Sequence, residues 1–146
     1  MIYRLVVLLA GLSLVVGLVL LSGPQRGVVA TGAAGAAATD PGYAALGNGK
    51  ALAESIIRYL VPELAPLGIR INAVAPGLVH TTSVAKMTGS AELAQKRVDQ
   101  AAAANPSGRA SRASDYASLV EYLLTDDAEF VQGQVIHCNG GVYVGV

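Results

Sequence analysis

Apolar residues are spread unevenly along the chain. The longest unbroken block, Leu5 to Leu21, reads LVVLLAGLSLVVGLVLL, with Ser13 as its one polar residue and Arg4 immediately ahead of it. At about 17 residues it meets the lower length limit of a membrane-spanning helix, and the leading arginine would leave the N-terminus in the cytoplasm. A second reading is a secretory signal, although SGPQRG after the block offers no small-x-small cleavage site. A third is a buried helix, apolar on every side because a sheet covers one face and a partner chain the other. Burial is the preferred reading, for reasons that lie further along the chain.

After Arg26 the pattern changes register several times. GVVATG, from Gly27 to Gly32, is a valine-rich run bounded by glycines and reads as a buried strand. Ala33 to Gly42 carries small residues and a turn cluster and reads as a loop. From Tyr43 to about Leu64, Leu52, Ile56, Tyr59 and Leu60 recur at three- and four-residue steps, which predicts a long helix. Pro66 and Gly68 end it, and IRINAVA, Ile69 to Ala75, predicts a strand entering a parallel sheet and stopped by Pro76 and Gly77.

The remainder is more polar at first. Thr81 to Gly108 is rich in Ser, Ala, Lys and Gln, with a short helix expected over Ala91 to Ala104, a segment suited to a lid. Ser114 and Asp115 resemble an N-cap with an acidic first turn, followed by a helix to about Leu124. GQVIHC then predicts a closing strand, and Asn139-Gly140-Gly141 a turn. Strands alternating with helices argue for an α/β fold built on parallel βαβ units.

Composition narrows the function classes. The 146 residues suffice for one sizeable core, 53% of them are hydrophobic, and ten basic residues balance ten acidic ones. No net positive field is available to attract phosphate backbones, so nucleic acid is not an expected partner. The lone Cys138 cannot form an internal disulfide and suits a reducing compartment, so a cytoplasmic location is expected, with anchoring through residues 5–21 as the alternative. Its segment predicts packing rather than nucleophilic chemistry. Neither His80 nor His137 belongs to a metal-ligand or triad pattern, so no metal is expected.

The string GYAALGNGKALAESIIRYLVPELAPLGIRINAVAPGLVHT resembles the active-site helix, following strand and PGxxxT loop of the short-chain dehydrogenase/reductases. PSGRASRASDYASLVEYLLTDDAEFVQGQVIHCNGG is similar to their closing helix and strand. The resemblance covers roughly residues 27–142 and implies a partial Rossmann-like fold, a parallel sheet with flanking helices, preceded by an apolar N-terminal helix. Most of the family places its tyrosine four residues before the lysine, where this chain has Leu46. Tyr43 instead precedes Lys50 by seven, and that Y-x6-K spacing, with Gly47 between, resembles the enoyl-acyl-carrier-protein reductases.

The chemistry explains the pair. Reducing a carbonyl or enoyl thioester by hydride transfer leaves negative charge on an oxygen, which must receive a hydrogen bond or proton. Tyr43 is the candidate donor. A phenol, with a pKa near 10, is a poor acid at neutral pH, and a nearby ammonium, Lys50, both stabilises its anion and can hold a cofactor ribose. Seven residues bring the two to one helix face after about two turns. The resemblance further implies NAD(P)H as cofactor, with Pro76, Gly77, Val79 and Thr81 forming the loop that meets the nicotinamide and the Thr81 hydroxyl on its carboxamide. Asn72 is expected to support strand geometry, and His80 to lie at the surface or towards substrate.

Three features depart from the family. A G-x-x-x-G-x-G nucleotide loop is missing ahead of Gly27, where only the apolar run stands. The position of a second substrate-facing hydroxyl falls at Gly32 and Ala33, leaving Thr31 nearby. The usual Asp-Gly-Gly is Asn139-Gly140-Gly141. The expected organisation is therefore residues 1–26 as apolar helix and linker and 27–146 as the C-terminal part of a reductase domain, with activity of this chain in isolation not expected. The function implied is a truncated NAD(P)-dependent oxidoreductase, acting on a small molecule or acyl thioester such as an enoyl thioester of fatty acid metabolism. The alternative is a non-catalytic remnant serving as a structural or interaction protein. An open sheet edge predicts a homo-oligomer.

Overall fold

The computed structural model describes residues 26–31 and 43–143. Strand β1 (Arg26–Thr31) is followed by helix α1 (Ala44–Leu64), a 3-10 turn (Ala65–Leu67) and strand β2 (Ile69–Pro76). Helices α2 (Thr82–Thr88), α3 (Ala91–Ala104) and α4 (Ala113–Leu123), a second 3-10 turn (Asp126–Ala128) and strand β3 (Val135–Cys138) complete the order. The three strands form one sheet in the order β1-β2-β3, parallel throughout, with Arg26 opposite Ile69, Thr31 opposite Val74 and Pro76 opposite Cys138. The parallel α/β architecture expected from the sequence is present. The apolar run 5–21, the loop after β1 and the chain end after Tyr143 lie outside the described residues. No helix among the described residues is long and apolar enough to cross a membrane.

β2 is the central strand, and its alternation assigns two faces. On one, Ile71 and Ala73 pack with Ile57 of α1, ringed by Leu60, Val61, Leu64 and Val135. On the other, Val74 packs with Leu123 of α4 and Ala128, ringed by Leu119, Val120, Val131 and Ile136. Full burial of a side chain the size of Leu123 or Ile57 contributes about 1.5–3 kcal/mol, so these two anchor the helices to the sheet.

The α4 face also buries Arg70 without a carboxylate. Its guanidinium donates to the carbonyls of Leu123 (2.8 Å), Thr125 (2.9 Å) and Ala128 (3.0 Å), where α4 and the 3-10 turn end; the Thr125 and Ala128 oxygens also accept from the N–H groups of Ala128 and Val131. A cation there is favoured by the negative end of the helix dipole as well as by three charge-assisted hydrogen bonds. Asn72, likewise buried, donates to the Val131 carbonyl (2.8 Å) and accepts from Gln134 N (3.0 Å), tying β2 to the segment that leads into β3. It does support strand geometry.

Three details differ from the sequence reading. The helix α1 forms where expected, yet three of the four residues whose repeat announces it lie on its outer face: Leu52 is 57%, Ile56 42% and Tyr59 75% exposed, while Leu60 packs inward with the buried Ile57, and Ala53 is buried too. Both faces of α1 are apolar, so periodicity alone finds the helix without choosing its inner side. A helix not foreseen, α2, stands directly after the PGxxxT loop, started by Thr81, whose hydroxyl accepts from Val84 N (3.3 Å), and stopped by Gly89 at φ 87°. The cap of α4 is Arg112 rather than Ser114; Asp115 is the third helical residue and its carboxylate accepts from Arg112 N (2.8 Å).

Candidate active site

The site is built at the carboxyl ends of the parallel strands, where such sheets place their ligands. α1 starts there because it follows β1, and Tyr43 occupies its N-cap position, with backbone angles φ −88° and ψ −6°. Its side chain makes no capping hydrogen bond. A phenol is too long to satisfy the first-turn N–H groups as Ser or Asp does, so helix capping does not account for a tyrosine at this position. The positive end of the helix dipole does favour negative charge near it.

Lys50 lies two turns on. At 3.6 residues per turn, Tyr43, Lys50, Glu54, Ile57 and Val61 fall within about 60° of one another around the axis, on the side that Ile57 turns to the sheet. Leu52 falls roughly opposite. Tyr43 and Lys50 are both half-buried. Burial holds the Lys50 ammonium below the usual lysine range, and the negative charge of Glu54 opposes that shift. Glu54 escaped the sequence reading, although its four-residue step from Lys50 is visible in the string KALAE.

The second group of expected site residues follows β2. Pro76 ends the strand, Gly77 and Val79 are half-buried, and His80 and Thr81 are exposed. Gly77 has a packing reason of its own: a Cβ there would collide with the Ser111 hydroxyl and lie 3.3 Å from the Asn139 carbonyl oxygen. The Thr81 oxygen accepts from Val84 N as the cap of α2, which leaves its O–H proton to donate elsewhere. The structure thus brings Tyr43 and Lys50 to one helix face and places the loop of Pro76, Gly77, Val79 and Thr81 at the same end of the sheet. Thr31 closes β1 at that end too, opposite Val74.

Beside β3 lies a cleft of about 630 Å³ lined by Arg109, Ser111, Asp115, His137, Asn139 and Tyr143, among others. It includes neither Tyr43 nor Lys50. Its rim is an ion pair in which Arg109 clamps Asp115 through two nitrogens, at 2.6 and 2.8 Å. Those bonds, with the Arg112 N–H, hold the Asp115 carboxyl at about 2. Cys138 lies at the edge of the same cleft with its thiol directed to the Asp115 carbonyl (3.1 Å), consistent with the packing role expected of it. Asn139, where the family has aspartate, donates to the Tyr143 carbonyl (3.2 Å) and accepts from Gly141 N (3.0 Å). An aspartate carboxylate could make only the second of those bonds.

The family model described as "Enoyl-(Acyl carrier protein) reductase" matches residues 11–143. The solved enoyl-[acyl-carrier-protein] reductase (NADH) of Aquifex aeolicus VF5 superposes with a TM-score of 0.73 at 31% identity, over 86% of this chain and 48% of that one. The Bacillus cereus enoyl-acyl carrier protein reductase, solved with NADP+ and an indole naphthyridinone, gives 0.70 at 26%, over 82% and 46%. The glucose and ribitol dehydrogenase homolog of Oryza sativa subsp. japonica is 40% identical over 87 residues, 60% of this chain and 27% of that protein. This chain spans about half the length, or less, of the relatives it matches.

Proposed function

Since the chain belongs to the short-chain dehydrogenase/reductase family, of the enoyl-(acyl carrier protein) reductase type, we propose that it is the substrate- and nicotinamide-side part of an NAD(P)H-dependent oxidoreductase. Residues 27–146 form the C-terminal part of the reductase domain, with 1–26 as the segment leading into it. The observation that carries this reading is Tyr43 and Lys50 on one face of α1, at the carboxyl end of a parallel sheet, with the amine half-buried.

The residues present suit the nicotinamide and ribose end of the cofactor. A half-buried ammonium can hold ribose hydroxyls, and the loop from Pro76 to Thr81 offers backbone groups and a threonine hydroxyl. NAD(P)H, when bound, supplies a hydride; one of the two solved enoyl reductases is named for NADH and the other was solved with NADP+, which leaves both nucleotides as candidates. Tyr43 then donates to the oxygen on which charge develops, which for an enoyl thioester is the thioester carbonyl oxygen. Lys50 stabilises the phenolate that this donation leaves, and the N-terminus of α1 adds its dipole. An enoyl thioester is the substrate class favoured by the Y-x6-K spacing and by the two solved reductases. The exposed stripe of Leu52, Ile56 and Tyr59 supports a homo-oligomer, and the lone cysteine a cytoplasmic setting.

Calorimetric titration with NADH and NADPH tests the reading, followed by turnover of an enoyl thioester by the Tyr43→Phe variant. Saturable binding supports the reading, and whatever turnover the chain sustains, alone or completed by a nucleotide-binding partner, should fall about 100-fold or more in the variant. Absence of binding up to millimolar cofactor would overturn it in favour of a structural or interaction protein.

A further inference from the structure

The proposed reaction uses a tyrosine and a lysine, yet α1 sets a third ionisable group in line with them. Glu54 stands four residues beyond Lys50 and eleven beyond Tyr43, and eleven residues make just over three turns, so all three share one face. Its side chain is half-buried, and one carboxylate oxygen, Oε1, is fully buried with no hydrogen-bond partner among the described residues. Leaving a buried acceptor unmatched costs about 1–3 kcal/mol, more when it is charged. A fixed positive charge nearby offsets that cost.

We propose that Glu54 is a positioning residue that acts through Lys50, its carboxylate serving as the counter-charge to the half-buried ammonium on the helix face that both share with Tyr43.

The surroundings favour Lys50 as the recipient of that charge. On α1 the other charged groups within reach are Arg58, one turn further on and exposed, and Glu63, near the helix end. β2, which packs against α1, carries one charged residue, Arg70, and its guanidinium is committed to the α4 carbonyls on the opposite face of the sheet. The 3-10 turn after α1 has no charged residue. Burial disfavours the charged amine, and the opposing influence resolved on it is Glu54. The pair has the i, i+4 spacing at which opposite charges attract along a helix. Here, unlike at an exposed helix surface, partial burial reduces screening.

The catalytic meaning of this arrangement rests on the proposed function, whereas the counter-charge does not, and the experiment separates them. In ¹³C-labelled protein without cofactor or substrate, the Cε resonances of Lys50, Lys86 and Lys96 are followed against pH. Glu54→Gln should lower the Lys50 midpoint by about one pH unit while leaving Lys86 and Lys96 unmoved. Glu54→Asp, which keeps the charge on a shorter arm, should shift it in the same direction by less, and serves if the glutamine variant does not fold. Arg58→Gln should leave Lys50 where it is. A Lys50 midpoint unchanged in folded Glu54→Gln or Glu54→Asp protein would overturn the proposal. A chain that binds no nucleotide but shows the shift would overturn the reductase reading and keep the counter-charge.

Discussion

The two faces of β2 are built by different means. Towards α4, burial is accompanied by polar cross-links: Arg70 gathers three carbonyls, Asn72 binds Val131 and Gln134, and Leu123 is fully enclosed. Towards α1, the contact is apolar, with Ile57, Ile71 and Ala73 ringed by Leu60, Val61 and Leu64, and the helix goes on to expose Leu52, Ile56 and Tyr59 on its far side. The α1 face carries the proposed chemistry, with Tyr43, Lys50 and Glu54 sharing the side of the helix that turns to the sheet. One face is fastened by hydrogen bonds that only the folded chain can assemble; the other is held by side-chain packing and has surface left uncovered. The polar fastening and the proposed reactive groups thus fall on opposite sides of the same strand.

The largest effect should come from unfastening the first face. Arg70→Met keeps much of the side-chain volume but abandons the carbonyls of Leu123, Thr125 and Ala128 at the end of α4. Hydrogen bonds to a charged group contribute about 1.5–3 kcal/mol and three are lost together, so a destabilisation of about 3 kcal/mol is expected in urea unfolding. The Lys50 titration midpoint should not move, because the guanidinium lies on the other side of the sheet. A loss under about 1 kcal/mol would break the contrast between a cross-linked and an uncross-linked face.

A smaller effect belongs to the rim of the same side. Asp115 is held at about 2, against an ordinary carboxylate near 3.8, first by Arg109 and then by the Arg112 N–H. Its folded-state value is depressed, so its contribution is fully present above the ordinary value and is lost as pH falls towards 2. Wild-type stability should therefore decline over that acid window more steeply than that of Asp115→Asn, as read by thermal unfolding at stepped pH. Equal slopes would mean that the clamp survives unfolding or does not form in solution. Since the pair is solvent-exposed, the difference should be small and should shrink further in salt.

How much of this was visible in the sequence divides along the same line. The βαβ alternation, the strand IRINAVA and the helix Ala91–Ala104 were legible because apolar period and turn residues encode them locally. Tyr43 and Lys50 stand out through the resemblance of their surroundings to the family's active-site helix, and their spacing fits one helix face. Arg70 was not: an arginine in a strand reads as an exposed position, and only the fold brings the end of α4 across to satisfy it. The short α2 was hidden because Thr81, its cap, was read as a cofactor contact, and a cap is recognised only with the helix it starts. Glu54 is not legible because a glutamate four residues after a lysine reads as an ordinary exposed helix pair, and only the fold buries its Oε1.

The smallest change in folding stability, and the sharpest test of the uncovered face, should come from Leu52→Ser with Tyr59→Ser. Both side chains stand free of the core, so unfolding free energy should stay within about 0.5 kcal/mol of wild type. What should change is association, because a stripe at positions 52, 56 and 59 is the kind of contiguous apolar surface that marks a contact between proteins. Sedimentation velocity across a concentration series should show a larger monomer fraction for the double variant. If association is unchanged while folding is lost by more than about 1 kcal/mol, the stripe is covered from within the same chain, and α1 is then packed on both sides by its own sequence.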